Sequence, residues 1–238
     1  MNPQYTDEYL AKLYSSYQNS DLSHHRYKDD QIPRFAKHRD NFELIEKHGV
    51  KGRLLSVGSG NGIDLHVAKE RGWHAIGYEV DKQFAEKLAE KTNAQIFNGD
   101  FTQLSFKELF DCVYLNHVIE HPKNPREYLN KISHSLKIGG LLYLATPNIQ
   151  SISIKVKRLL DTINIRGKEA SYYDTWQHLT YFNPRQLIDV LTNQYGLETV
   201  HVSADCKKIK NGKVIHSLLD KLTLTSSFRL LAKKIRDV

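Results

Sequence analysis

Between Arg53 and Thr146 short apolar runs alternate with longer amphipathic ones, the rhythm of strands joined by helices. RLLSV (53–57), HAIGYEV (74–80), AQIFN (94–98), FDCVYLN (110–116) and LLYLAT (141–146) predict strands. They are short and apolar, as strands buried on both faces should be. IDLHVAKERG (63–72), DKQFAEKLAEKT (81–92) and PREYLNKISHSLK (125–137) predict helices, the last with Tyr128, Leu129, Ile132 and Leu136 on one stripe. Asp81 and Asn124 suit N-caps, and Gly72 and Gly139 suit the residues that follow helix ends.

Upstream, RFAKHRDNFELIEKH (34–48) predicts a helix outside the first strand, and downstream residues 147–178 lose the strand rhythm and read as an insertion. After Pro184 come a helix (185–192) and a strand, LETVHVSA (197–204). In the last thirty residues Asn211-Gly212 marks a turn, while HSLLDKLTL and SFRLLAKKI each admit a helix. The expectation is an α/β fold: a helical cap (1–50), a core (51–206) carrying a substrate-cover insertion (149–178), and a basic tail (207–238).

Composition changes this picture little. Hydrophobic content of 40% and charged content of 26% are ordinary for a globular protein. No apolar run reaches the roughly 18–20 residues that span a bilayer. The polar, tyrosine-rich start, MNPQYTDEYLAKLYSSYQ, has no basic region leading into an apolar one, so no secretory signal is expected. Cys112 and Cys206 form neither a metal-binding spacing nor a disulfide framework, so no metal is expected, and the cytoplasm is the expected compartment.

Charge is unevenly placed. Residues 207–238 hold nine Lys or Arg against two Asp, whereas the other 206 residues hold 25 of each sign. The body is therefore not a nucleic-acid surface by charge, and the basic excess acts through the tail.

The central motif is Val57-Gly58-Ser59-Gly60-Asn61-Gly62, between a strand and a helix. Glycines there let backbone amides approach a ligand closely, although an ordinary strand-to-helix turn is the plain alternative. A dinucleotide fingerprint would need glycine where Ile63 stands, so a ligand without a pyrophosphate fits better. Glu79 ends the second strand 21 residues after Gly58, where a carboxylate can accept from two ribose hydroxyls. Asp100 ends the third strand, where it can accept from an adenine amine with Phe101 covering the ring. Asn116 ends the fourth, at the reactive end of such a ligand. Three polar residues at consecutive strand ends converge on one cleft.

LLSVGSGNG, GYEVD, NGDF, FDCVYLNHVIEH, LKIGGLLYLATPN and, more loosely, WQHLTYFNPRQLIDVL resemble the class I S-adenosylmethionine-dependent methyltransferases. The likeness is strongest to the branch holding the ubiquinone-biosynthesis O-methyltransferases and many small-molecule and sugar methyltransferases. It implies a Rossmann-like, doubly wound, mostly parallel seven-stranded sheet with helices on both faces, and S-adenosylmethionine as cofactor. By this resemblance Gly58, Gly60 and Gly62 contact the methionine moiety, Glu79 the ribose, and Asp100 with Phe101 the adenine, and Val80 also lies at the cofactor. Asn116 and His117 lie at the methionine and sulfonium end. The family usually carries an acidic residue where this chain has Ser56, which orients the loop or meets the methionine amine.

A hydroxyl acceptor must lose its proton near the moment of transfer, and histidine is the natural base near neutral pH. His117, Glu120 and His121 follow the fourth strand, and His178 lies in a segment that can fold over the site. His121 and His178 are the candidate bases, with a turn closed by His121-Pro122 and a lid fixed by His178 as the equal alternative readings. Asn116-His117-Val118-Ile119 is not the Asp/Asn-Pro-Pro-Tyr/Phe motif of adenine amino methylation. Neither cysteine is placed as a nucleophile for cytosine methylation. A small-molecule, lipid-linked or sugar-linked hydroxyl acceptor is expected, with N-methylation the nearer competitor. An RNA methyltransferase using the basic tail and a non-catalytic cofactor-binding subunit are further alternatives.

Ile152, Ile154, Val156, Leu159, Leu160 and Ile163 alternate with Lys155, Lys157 and Arg158. On a helix this suits either a lid packed on its own domain or a membrane interface. Tyr172, Tyr173 and Trp176 then line an acceptor pocket or cover the core. The tail, too, either lies on anionic lipid or completes the sheet. Peripheral membrane contact through 152–163 or 207–238 is thus an expectation.

Overall fold

The computed structural model describes residues 32–162, 178–205, 209–210, 213–214 and 225–238, together with Thr6. Tyr172, Tyr173, Trp176 and the HSLLDKLTL stretch, for which the sequence raised expectations, lie outside the described residues.

The strands are β1 (Arg53–Val57), β2 (His74–Tyr78), β3 (Ile96–Phe97), β4 (Phe110–Asn116), β5 (Leu136–Pro147), β6 (Leu197–Ala204), β7 (Ile209–Lys210), β8 (Lys213–Val214) and β9 (Ser227–Lys234). The helices are α1 (Ile32–Glu46), α2 (Ile63–Glu70), α3 (Lys82–Thr92), α4 (Pro125–Ser135), α5 (Ile152–Thr162) and α6 (Pro184–Tyr195). Seven strands form one sheet in the order β3-β2-β1-β4-β5-β9-β6, and β7 and β8 form a separate antiparallel pair. All neighbours in the large sheet are parallel except β9, which runs antiparallel to both β5 and β6. The fold is α/β and doubly wound, as expected.

Strand residues alternate between two cores. Leu55, Val57, Val113, Leu115, Leu142, Leu144, Leu230 and Ala232 face α4 and α6. Leu54, Cys112, Tyr114, Leu141, Tyr143, Ala145 and Leu231 face α1, α2 and α3. That period of two, buried on both sides, is why these runs read as apolar throughout. Because β1 lies between β2 and β4, the winding reverses at β1. A crevice therefore opens at the carboxyl ends of these strands.

Asp81 caps α3 by accepting from the Phe84 amide at 2.8 Å, and Asn124 stands at the N-cap of α4, although its side chain donates to Glu127 at 2.7 Å and accepts from no backbone amide of the helix. Gly139 lies inside β5 rather than behind a helix. The end of α4 is closed by the Lys234 ammonium, which donates to the carbonyls of Ser133 (2.8 Å) and Leu136 (3.0 Å).

Most consequential is SFRLLAKKI, which admits a helix in sequence and is the strand β9. Its apolar residues are buried on both faces, and its charges are taken up from a distance. Arg229 donates to Asp40, to Asn41 at 2.7 Å and to Ser203 at 3.1 Å.

The expected helix in the insertion is α5, on which Ile152, Val156 and Leu159 are exposed. Among the described residues no helix is long and apolar enough to cross a membrane.

Candidate active site

The glycine loop leaves β1 and enters α2. Gly58 donates its amide to the Tyr78 carbonyl at 2.9 Å, which pins the loop to the end of β2. At Gly60 (φ 51) an added Cβ would meet nothing within 4 Å, so this residue fronts open space. Gly62 (φ 79) is different: a Cβ there would come within 2.7 Å of Leu88 and Thr92. Its Cα is turned into the packing of α2 on α3, and its glycine serves that close approach.

Glu79 follows β2 and is buried, 5% exposed. Its carboxylate accepts from the Gly60 amide at 3.3 Å and the Val80 amide at 3.0 Å, so loop and strand end are tied together. Burial nevertheless pushes its pKa up to about 7. Val80 is half exposed, and its carbonyl accepts from Asn98 at 2.9 Å. Asp100 is exposed and spends one oxygen capping a short 3₁₀ turn, accepting from the Thr102 amide at 2.9 Å and hydroxyl at 2.8 Å. Asn116, at the end of β4, holds a buried Oδ1 that accepts no hydrogen bond.

Two expected ligand contacts need correction. Phe101 is fully buried, with its ring centroid 5.0 Å from Tyr78 and 4.8 Å from Tyr128. It is a core residue beneath the Asp100 turn and presents no face to a ligand. Ser56 is 1% exposed, and its hydroxyl donates to the Asp64 carboxylate. Its side chain therefore acts on the loop from below rather than on a bound molecule. Asp64 itself escaped the sequence reading, because an acid in the first turn of a helix is unremarkable there.

His117 adopts a left-handed backbone (φ 57), a conformation uncommon for residues other than glycine. Its Nε2 lies 2.8 Å from Asp205 and its Nδ1 3.3 Å from Glu120. Burial disfavours its charge, but the two carboxylates together hold its pKa above the ordinary value. Burial likewise opposes ionisation of Asp205, yet His117 and Lys37, the latter at 2.7 Å, keep it well below the usual carboxylate range. His117 thus joins the end of β4 to the end of β6 and to α1. Asp205 gave no sequence signal, being one acid after a strand.

The remaining candidates, His121 and His178, do meet. Their ring centroids are 5.1 Å apart, and one ligand-type atom from each, with a carboxylate oxygen of Glu120, lies within 4.8 Å of the others. The backbone enforces this, since the Glu120 carbonyl accepts from the amides of Leu179 (2.8 Å) and Thr180 (3.1 Å). The segment carrying His178 is thereby stitched to the loop after β4.

A family model described as a methyltransferase domain matches residues 23–202. Among curated proteins, the ubiquinone biosynthesis O-methyltransferase of Ruegeria pomeroyi is 29% identical over 154 residues, covering 62% of this chain and 60% of that protein. The tRNA U34 carboxymethyltransferase of Desulfotalea psychrophila is 31% identical over 119 residues, covering 45% of this chain and 37% of that protein. The chain thus spans less than two thirds of the length of either relative.

Among solved structures, the Burkholderia thailandensis 1,6-didemethyltoxoflavin-N1-methyltransferase, with bound 1,6-didemethyltoxoflavin and S-adenosylhomocysteine, superposes with a TM-score of 0.65 at 17% identity. The match covers 99% of this chain and 93% of that one. The Synechocystis magnesium protoporphyrin IX methyltransferase, with bound S-adenosylhomocysteine, gives 0.62 at 12% identity, over 96% and 100% of the two chains. At these identities the likeness is one of fold. With the family model matching most of the chain, the protein belongs to the methyltransferase-domain family, and its fold is that of the class I, S-adenosylmethionine-dependent methyltransferases.

Proposed function

We propose that this chain transfers the methyl group of S-adenosylmethionine to a hydroxyl of a small-molecule, lipid-linked or sugar-linked acceptor. The observation that carries the reading is the paired arrangement at the switch point: a cofactor cleft on one side of β4 and a histidine cluster on the other.

The residues present fit the cofactor. Gly60 fronts open space, the Glu79 carboxylate sits at the end of β2, and Asn116 Oδ1 is buried without a protein partner. A ribose with two hydroxyls suits Glu79, and an amine donor suits Asn116. Asp100 has a second oxygen for the adenine amine. When bound, the cofactor supplies a methyl group on sulfur that departs as a neutral thioether, so the protein's work is to place the acceptor and exclude water.

The acceptor oxygen forms its bond to the methyl carbon as the carbon–sulfur bond breaks. The hydroxyl proton is taken up at the cluster of His121 and His178 beside Glu120. An imidazole suits this task near neutral pH, and a nitrogen acceptor would make less use of it. That difference favours oxygen over nitrogen. The named relatives act on both kinds of atom, so the choice rests on the cluster.

Turnover of quinol and glycolipid acceptors, with amine acceptors as controls, tests the reading. O-methylated product that falls at least about 100-fold in His121→Ala or His178→Ala supports it. Methylation of amines alone, or unchanged turnover in both variants, refutes the hydroxyl assignment.

A further inference from the structure

We infer that His117, clamped between Asp205 and Glu120, is a positioning residue for methyl transfer. It fixes the Glu120 carboxylate beside His121 and His178, where that carboxylate steadies the imidazole receiving the acceptor's proton. The inference deepens the proposed function and rests on it for the proton's destination.

Charges alternate along a chain of contacts from α1 to the acceptor loop. The Lys37 ammonium lies 2.7 Å from Asp205, Asp205 lies 2.8 Å from His117 Nε2, and His117 Nδ1 lies 3.3 Å from Glu120. A carboxylate oxygen of Glu120 in turn lies within 4.8 Å of a ring nitrogen of both His121 and His178. The side chains of Glu120 and Asp205 are sealed, at 0% and 1% exposure, whereas that of His117 is 29% exposed. The acids therefore depend on the imidazole, rather than on water, to offset their charge.

The backbone points the same way. His117 holds φ 57 immediately after β4, a conformation that costs on the order of 1–3 kcal/mol for such a residue. Its amide donates to the Ala145 carbonyl at 2.9 Å, a bond that glycine or asparagine would make with less strain. Histidine differs from those residues in its ring, which presents one nitrogen to each acid.

Alone in its pocket Glu120 would resist ionisation, because burial favours the neutral acid. His117 reverses this and holds the carboxyl below its ordinary range, while the Thr146 hydroxyl donates to the other oxygen at 3.1 Å. An ionised Glu120 accepts from a ring N–H and offsets the positive charge that the base gains. Its Oε1 accepts no well-aligned hydrogen bond, which leaves a lone pair for that contact. The hydroxyl proton stays on the base, and none moves to Glu120 or His117.

His117→Asn tests the inference, since asparagine accepts the left-handed backbone and removes the ring. Around the His117–Glu120 pair stand Lys37 from α1, Asp205 past β6 and His121 on the same loop, with His178 brought in by the Leu179 and Thr180 amides. In carbon-13 spectra of glutamate-labelled protein, assigned with Glu120→Gln, the Glu120 midpoint is expected to rise by at least about two pH units in the variant. At pH 7 turnover of a quinol acceptor should fall about 10- to 100-fold, with its KM and the affinity for S-adenosylhomocysteine changed less than about threefold. The deficit should shrink by pH 9, as Glu120 ionises unaided, whereas Glu120→Gln keeps its deficit at both pH values. His117→Gln, which retains a side-chain donor without the charge, repeats the test if thermal melts show the asparagine variant unfolded.

A Glu120 midpoint unmoved in the folded variant, or wild-type turnover retained at pH 7, overturns the inference and leaves the hydroxyl reading standing. A wild-type chain that methylates no hydroxyl, with the Glu120 midpoint still moved by His117→Asn, would instead overturn the proposed function and keep the positioning of Glu120.

Discussion

Ser56 and Asp64 face each other beneath the glycine loop, the serine hydroxyl donating to a carboxylate that is otherwise sealed in the core. Ser56 is the last strand residue but one, and Asp64 is the second residue of α2, so the bond ties the two ends of the loop together. The second oxygen of Asp64, Oδ1, accepts no hydrogen bond. A carboxylate is thus retained under the loop even though position 56 lacks one.

The electrostatics of this pair predict a stability change. Burial pushes Asp64 up from 3.8 to about 6. The folded state therefore binds this proton more tightly than the unfolded chain, and stability falls as pH rises through the window from about 4 to about 6. Above it, ionised Asp64 opposes folding by on the order of 3 kcal/mol. Asp64→Asn should raise the melting temperature at pH 7.5 and leave it little changed at pH 4. Melts at both pH values check this, and a variant that is destabilised at pH 7.5 would show that the carboxylate is needed for the loop's shape.

Glu79 predicts a pH dependence of cofactor binding. With its pKa near 7, about half the apo protein carries a neutral Glu79 at that pH. Two ribose hydroxyls are best met by the ionised carboxylate, so binding favours deprotonation. Affinity for S-adenosylhomocysteine should rise from pH 6 to pH 8 by up to about tenfold, and Glu79→Gln should bind weakly with a flat profile. Calorimetry across that range decides; a flat profile in the wild-type chain would mean that Glu79 does not receive the ribose.

Local pattern carried much of the fold. FDCVYLN and LETVHVSA coincide with β4 and β6 because their ends are set by short-range chemistry: turns before them, and an asparagine or alanine where pairing stops. The placing of Gly58, Glu79, Asp100 and Asn116 at or just past the ends of β1 to β4 was legible for the same reason, since the ends of parallel strands converge whatever lies between them. What stayed hidden is non-local. SFRLLAKKI admits a helix as well as a strand until β5 and β6 are seen to pair with its two edges. Asp205 acquires meaning only from His117 and Lys37, 88 and 168 residues away. Phe101 was misread because nothing in NGDF says that Tyr78 and Tyr128 close over the ring.

Asp205 joins two cations inside the protein, and its loss should be felt by both. Its depressed pKa means stability that is present above the unfolded value near 3.8 and lost as pH falls. His117, raised, contributes stability below about 6.5 that fades as pH climbs past its folded pKa. Asp205→Asn removes the first term and weakens the second, leaving the buried charge on His117 with Glu120 as its remaining carboxylate. A loss of about 3–5 kcal/mol is expected in denaturant unfolding at pH 6, narrowing as the pH is raised and His117 becomes neutral. A loss that is the same at pH 6 and pH 9 would assign the effect to packing instead.

The last prediction concerns the basic tail. Were residues 227–238 an appendage for lipid, their removal would spare the fold. In the sheet, however, β9 lies between β5 and β6, pairing Leu142 with Ala232 and Val202 with Leu230. Deleting it strips the ladder from β5 and leaves β6 with no neighbour among the described strands, and it removes Phe228 and Leu231 from the two cores at once. Truncation after residue 226 should therefore abolish cooperative unfolding altogether. Arg229→Ala is the gentler probe, because it keeps the strand but strands Asp40 and Asn41 without their shared donor. It should cost about 3–5 kcal/mol while β9 stays in place. If the truncated chain melts like the full one, the C-terminal strand is dispensable and its positive charge is free to act elsewhere.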